Sequence, residues 1–524
     1  FTDTNLNFLD DIDGTVRGGA VDIGADEVPV DFTSIICENT SAGGSCADLD
    51  YTTLSDWEDA VETDLTADTT RVFSGTLTGT LAENTTVNLC AGPTDLLIDG
   101  EVVAHTASGQ ILIDGVTVDN ELIAVPFAGY SFSAEACSSQ TNYWTTTGTG
   151  DDLGASAQVT AEIDGIWSAA DTASTEIHGW TTDSDNSIKI YTTDLARHDG
   201  TAGTGYVSST TDDSNILTRE GNVKIFGIET VGVKTSTNDA GIRIGAYEDL
   251  ENVEVAYNLV HDISYSVYTY GIFIGFSTSG HVAKGIKVYD NIIYNVDGGG
   301  IMINTPTTSG EVRGVYYNNT VYNCNQGESP SRGGIQANYI DTSTFSNNIA
   351  FDNYNADYFS ITITDNGSES NASSDTSGNT GLQSMTSSDH FKNLTSGSED
   401  FHLLRTSSLI DAGSDLSSTA TLSFSDDIDG DTRPGSKDFG TLDWDIGADE
   451  YSPPTPIYRS VGPSNTSTLA TDSSHANTVV VSSGTATFSA ELADNIGVGD
   501  AVLIDTAGTG QAIDASDTLL FISG

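Results

Sequence analysis

Basic residues are scarce in this chain: 17 Lys and Arg stand against 76 Asp and Glu in 524 residues, a formal net charge of -59. A surface this acidic repels nucleic-acid phosphates and anionic membranes, which makes both poor partners. It suits divalent cations, a high-salt medium, or the plain solubility of a long exposed surface. So little lysine also removes primary-amine chemistry from most of that surface. Cysteine is sparse, with five residues and no CxxC pair to hold a metal. Cys37 and Cys46 are spaced to close a small loop and Cys90 to pair with Cys137, which fits an oxidising compartment, although other pairings of these four stay open. Cys324 is left over, and a buried thiol is expected there. No charged-then-apolar leader opens the chain, and no apolar run approaches the length of a membrane span. The first residue is Phe1, so a mature or excised piece of a longer secreted precursor is expected.

What remains is apolar enough to fold, at 37% hydrophobic. The clearest order lies between residues 220 and 365. Val253-Glu254-Val255-Ala256-Tyr257-Asn258, Ile286-Lys287-Val288-Tyr289-Asp290-Asn291, Gly314-Val315-Tyr316-Tyr317-Asn318-Asn319 and Ser343-Thr344-Phe345-Ser346-Asn347-Asn348 align, with terminal asparagines 33, 28 and 29 residues apart. Each runs into a second apolar step: Leu259-Val260, Ile292-Ile293, Thr320-Val321, Ile349-Ala350. A second column repeats independently as Gly241-Ile242-Arg243-Ile244, Gly271-Ile272-Phe273-Ile274, Gly300-Ile301-Met302-Ile303 and Gly334-Ile335-Gln336-Ala337. Each period therefore holds two or three short alternating strands separated by Asn, Gly and Asp turns, and no amphipathic helix. The physical solution is an all-β coil. Each strand pairs in parallel with its equivalent about 4.8 Å along, inward residues stack in columns, and turn asparagines form an amide ladder that tolerates left-handed backbone.

These residues resemble the pectate-lyase-like superfamily of right-handed parallel β-helix repeat proteins. The likeness implies a β-helix from about 65 to 451, reaching through Leu96–Asp99, Gln110–Val118, Ser187–Tyr191 and His402–Asp411. Lyases, hydrolases, phage tailspikes, adhesins and surface structural proteins all use this fold, so it implies no single activity.

The remaining organisation is read from the ends. Asp10-Asp11-Ile12-Asp13-Gly14 leads through Arg17 to Asp22-Ile23-Gly24-Ala25-Asp26-Glu27, and Asp426-Asp427-Ile428-Asp429-Gly430 leads through Arg433 to Asp445-Ile446-Gly447-Ala448-Asp449-Glu450. The pattern is similar to the closing segment of many secreted β-helix proteins. Residues 1–31 then read as the tail of a preceding copy or a donated strand. Residues 32–64 read as an N-terminal cap, with a short helix starting at Ser55 and Glu58 completing a capping box. The Pro-rich stretch 452–456 reads as a linker, and 457–524 as a small β module.

Chemistry is thinner. A lyase would use a basic residue among Arg243, Lys284, Lys287, Arg313, Arg332, His261 and His281, with Asp262, Asp290 or Asp297 holding calcium. A hydrolase would need spaced carboxylates. Asp151-Asp152 and Asp426-Asp427 are paired, but the GHG and RIK motifs of β-helix polygalacturonases are missing, which speaks against a pectin hydrolase. His261 beside Asp262 reads first as a turn residue. The tyrosines Tyr265, Tyr268, Tyr270, Tyr289, Tyr316 and Tyr317 are either a sugar platform or packing. The metal expectation is calcium, on Asp427, Asp429 and Asp431 and on Asp11 and Asp13, whose alternating carboxylates offer hard oxygens. The competing reading has these side chains capping turn N–H groups, with Arg433 paired to Glu450. No organic cofactor is expected. The function expected is an extracellular structural or adhesive module joining copies of itself into a fibre or surface layer. The alternative is a polysaccharide lyase or hydrolase, or a glycan-binding adhesin.

Overall fold

Short alternating strands with polar turns have two ways to satisfy their backbone, and this chain uses both. The computed structural model describes residues 30–452 outside the loops 68–69, 116–128, 148–150, 153–156, 212, 246–248, 277–280, 305–310, 339–342, 362–367, 380, 418–423 and 434–442; beyond 452 it describes strands between 468 and 521. Residues 1–29, with Asp11 and Asp13, and the linker prolines lie outside the described residues.

The repeats coil into a three-sided parallel β-helix of about six turns. One side stacks Val30–Ile36, Ala157–Ile163, Asn186–Thr192 and then Val223–Phe226 through Thr344–Ser346. The second runs from Val207–Ser209 to Ala372–Ser373, and the third from Thr175–Ile177 to Tyr358–Phe359. The registers are those of the sequence alignment: Val255 lies beside Val288 and Val288 beside Tyr316, while Ile242, Ile272, Ile301 and Ile335 form one column. All of these are fully buried.

The turn asparagines do form a ladder. The Nδ2 of Asn258 donates to Oδ1 of Asn291 at 3.0 Å, Asn291 to Asn319 at 3.0 Å, Asn319 to Asn348 at 3.0 Å, and Asn348 to Asn371 at 2.9 Å. The left-handed backbone sits one residue earlier than expected, at Tyr257, Asp290, Asn318 and Asn347, with φ between 49° and 60°. That single residue turns the corner outward, which leaves the next asparagine free to point in.

Two segments depart from the expected run of coils. Between the first and second rungs of the first side, Arg71–Thr78, Thr85–Ala91, Thr94–His105, Gln110–Asp114, Ser131–Ser133 and Tyr143–Thr146 pair antiparallel. Arg71–Thr78 pairs with Gln110–Asp114 along one edge and with Tyr143–Thr146 along the other, so the six strands close into a barrel around Phe73, Leu89, Val102, Ile111, Phe132 and Trp144. Leu96–Asp99 and Gln110–Asp114 therefore belong to this barrel and not to coils. Asp400–Leu403 likewise pairs antiparallel with Phe391–Asn393.

Helix α1, Leu54–Val61, packs on the first coil. Its N-cap is Thr53, whose hydroxyl accepts from the Asp56 N–H at 3.0 Å, and not Ser55. Starting there puts Leu54, Trp57 and Val61 on one face, all buried in the coil core. Trp57 lies 5.8 Å from Trp180, and Glu58, spared from capping, accepts from the Trp180 indole at 3.1 Å. The disulfides are Cys37–Cys46 and Cys90–Cys137, and Cys324 is a buried thiol. Ser452–Gly524 is a separate unit in which Thr468–Thr471, His475–Ser482 and Thr485–Phe488 form one antiparallel sheet and Ala501–Ile504 pairs with Thr518–Phe521.

Candidate functional site

A strand that faces a core on one side should alternate, yet the second side carries consecutive apolar residues such as Leu259-Val260 and Ile292-Ile293. Both members are buried because the chain returns over this side after the last coil. Val260 and Ile293 face the coil interior. Leu259, Ile292, Tyr294, Ile349 and Phe351 face outward into a second core with Phe391, Phe401, Leu403, Leu409, Ile410, Ile428 and Ile446. The described residues of 387–451 thus form a strap lying across successive coils.

Its polar contacts follow the left-handed corner. Ser414 N–H donates to Oδ1 of Asn347 at 2.8 Å, and Asn318 donates to the carbonyl oxygens of Asp445 and Gly447 at 3.2 and 3.1 Å. The Tyr257 hydroxyl donates to Asp426 at 2.8 Å, and Arg197 to the carbonyls of Asp427 and Ile428. At the centre Arg433 is fully buried. It donates to Asp290 at 2.7 Å, to Glu450 at 2.8 Å and to the carbonyls of Gly447 and Ala448 at 2.9 Å each. Gly447, at φ 104°, lies so close that a Cβ there would stand 2.4 Å from Ile349 Cδ1. Of the DIDG and DIGADE pair, Asp426, Arg433, Asp445, Gly447 and Ala448 reach the coils, whereas the side chains of Asp427, Asp449 and Glu450 hold the strap to itself.

Asp427 is buried, and both its oxygens are engaged: Oδ1 accepts from the N–H of Asp429 and Asp431, and Oδ2 from that of Glu450. Burial pushes its carboxyl up to about 7, against the attraction of Arg433. Asp445 is pushed up to about 8 and Asp449 to about 6, again by burial. Comparison with protein families, curated proteins and solved structures finds no match to this chain. Asp427, Asp429 and Asp431 do bring ligand atoms within 4.8 Å of one another, as do His402, Asp429 and Asp449. His402, which nothing in its sequence context marks, is gripped by Asp400 on Nδ1 at 2.5 Å and Asp429 on Nε2 at 2.9 Å. Burial lowers its pKa, but these carboxylates outweigh that and raise it to about 10.

The residues suggested for catalysis are scattered and engaged. His261 is buried between Asp262 at 2.8 Å and Glu229 at 2.9 Å and stacks on Tyr294. Lys287 pairs with Glu254 and Lys284 with Glu251. The Arg332 guanidinium lies 5.1 Å from the Tyr268 ring centroid, and that of Arg243 5.6 Å from Phe273. Asp290 is the buried partner of Arg433, Asp297 caps the Tyr265 N–H, and Asp151-Asp152 forms an edge strand on the barrel. Among the tyrosines, Tyr270, Tyr289, Tyr316 and Tyr317 are buried, whereas Tyr265 and Tyr268 are exposed.

Proposed function

We propose that this chain is an extracellular structural β-helix module of the pectate-lyase-like type, joined to copies of itself in a fibre or surface layer. The observation that carries the reading is the task of the DIDG and DIGADE residues at 426–450, which clamp a strap onto the outer face of the second side. The same residues occur at 10–27, down to Phe8 standing where Phe424 stands before the paired aspartates. In this chain that outer face already holds its own strap, so the first copy would serve the equivalent face of a neighbouring module. Calcium at Asp427, Asp429 and Asp431, and at Asp11 and Asp13 in the first copy, would brace the joint, with Asp431 offering the exposed carboxylate. The acidic surface fits this use as a soluble, cation-binding coat.

The glycan-binding alternative rests on Tyr265, Tyr268 and Tyr354, about half-exposed aromatics. Electron microscopy of the native material, with and without chelator, tests the main reading. Filaments with an axial repeat of one module are expected, loosening in chelator. Dispersed rods in both conditions would overturn it and turn attention to acidic polysaccharides.

A further inference from the structure

Lysine is rare here and belongs in water, so a lysine inside the coil needs a reason. Lys234 is 1% exposed, at the corner where the second-side strand Glu229–Val233 turns toward the third side. Its Nζ points at the side-chain amide of Asn215, 2.5 Å from Oδ1, and its second contact is the Thr210 carbonyl at 3.3 Å. Asn215 is fully buried one coil earlier. Its Nδ2 is fixed by the carbonyls of Ser208 and Val231 at 2.7 and 3.0 Å and by the Ser208 hydroxyl at 3.3 Å. Asp239 is also buried, near enough for its charge to act on Lys234, and its Oδ2 has no hydrogen-bond partner.

We propose that Lys234 and Asn215 join through an isopeptide bond, with Asp239 carrying the proton. The uncharged amine uses its lone pair on Asn215 Cγ, forming the N–C bond while the carbonyl electrons move to Oδ1. The Asp239 carboxyl hydrogen-bonds that oxygen and relays the proton leaving Nζ to Nδ2. The Cγ–Nδ2 bond then breaks, ammonia departs, and the amide carbonyl is restored. Atoms and charges balance with no oxidant or cofactor.

Three features favour this chemistry over an inert buried ion pair. Burial brings the Lys234 ammonium down to about 8, against the pull of Asp239 and Asp213, so a neutral nucleophile is accessible near neutral pH. Burial, helped by the charge of Asp213, raises Asp239 against a Ser236 hydrogen bond and the charges of Arg243 and Lys234, which favours the protonated acid the step needs. The fold holds amine and amide together in a dry site, which removes the entropy of encounter. The bond would span neighbouring coils: the Asn215 N–H donates to the Ala240 carbonyl in the next coil, and that of Lys234 to Ser264 in the one after.

Intact-mass measurement of the full chain, with disulfides reduced, tests the proposal. The expected mass is about 17 Da below that of the sequence, the loss of one ammonia. Proteolysis should yield a branched peptide joining the segments around 215 and 234. Lys234→Arg, which keeps the charge, should restore the full mass. Asp239→Asn should slow or abolish the bond, and if it cross-links as completely as the native chain, the role given to Asp239 falls. Native protein that keeps its full mass after folded incubation near pH 9 would overturn the proposal without recourse to any variant.

Discussion

Replacing Arg433 with Met isolates what holds the strap to the coils. The guanidinium is fully buried and has two carboxylate partners, Asp290 and Glu450, besides two carbonyls. Methionine fills much of the volume but strands both carboxyls. Breaking a buried pair by removing one partner costs about 3–5 kcal/mol. Burial already raises Asp290 well above the usual carboxylate range, so it can take up a proton once Arg433 is gone, which places the cost toward the lower end. Strap opening should then rise by about two orders of magnitude. Coils touch mainly their neighbours, so the loss should be local. Hydrogen exchange resolved by peptide is the assay: protection at 424–433 and 443–450 should collapse while the ladder at 258–348 stays protected. Adding Asp290→Asn to Arg433→Met should recover part of the loss, because no charge is then stranded there. A uniform loss across the coils, or a change under about 1 kcal/mol, would refute the clamp.

Two further outcomes follow from the same contacts. The carboxyls of Asp427, Asp445 and Asp449 titrate higher folded than unfolded, so the folded strap binds more protons and its stability falls as pH rises from about 4 toward 8. His402, raised to about 10, adds stability that is complete below its ordinary value of 6.5 and is lost as pH climbs through 10. In chelator, where no cation competes for these carboxyls, proteolysis of the strap should therefore accelerate from pH 5 to 9, and a flat or opposite profile would contradict this electrostatic account. In the ladder, Asn291→Ala removes the acceptor shared by the N–H and Nδ2 of Asn258, leaving buried donors unpaired. The expected cost is about 2–4 kcal/mol, read by thermal or denaturant unfolding, and a loss under 1 kcal/mol would mean water fills the gap.

The coil was legible because its physics is periodic. Inward columns and turn asparagines must recur once per turn, and residues 220–365 print that interval openly. The consecutive apolar pairs also encoded the covered face, since one exposed side would have left alternation intact. The barrel was not legible: antiparallel strands alternate as coil strands do, and the closing pair between Arg71–Thr78 and Gln110–Asp114 depends on contacts no local pattern records. The helix was visible, but its start was set by the need to bury Leu54 rather than by the better capping box at Ser55. At the strap, Asp427, Arg433 and Glu450 stood out as a motif. Asp290, 143 residues from Arg433, could be paired with it only in three dimensions.

The asparagine ladder also has a direction. From 258 to 371 every amide gives its hydrogen to the next rung toward the C-terminal end, and none gives it back. Aligned dipoles of this kind polarise one another, so an interior rung is held more firmly than a terminal one. Every rung also gives a second amide hydrogen to a carbonyl of the preceding coil, Ile225 for Asn258 and Phe345 for Asn371, so the last rung keeps this anchor and lacks only the forward bond. Loosening should accordingly start at the ends of the row and travel inward, giving the rod a grain, much as timber splits along one line and resists across it.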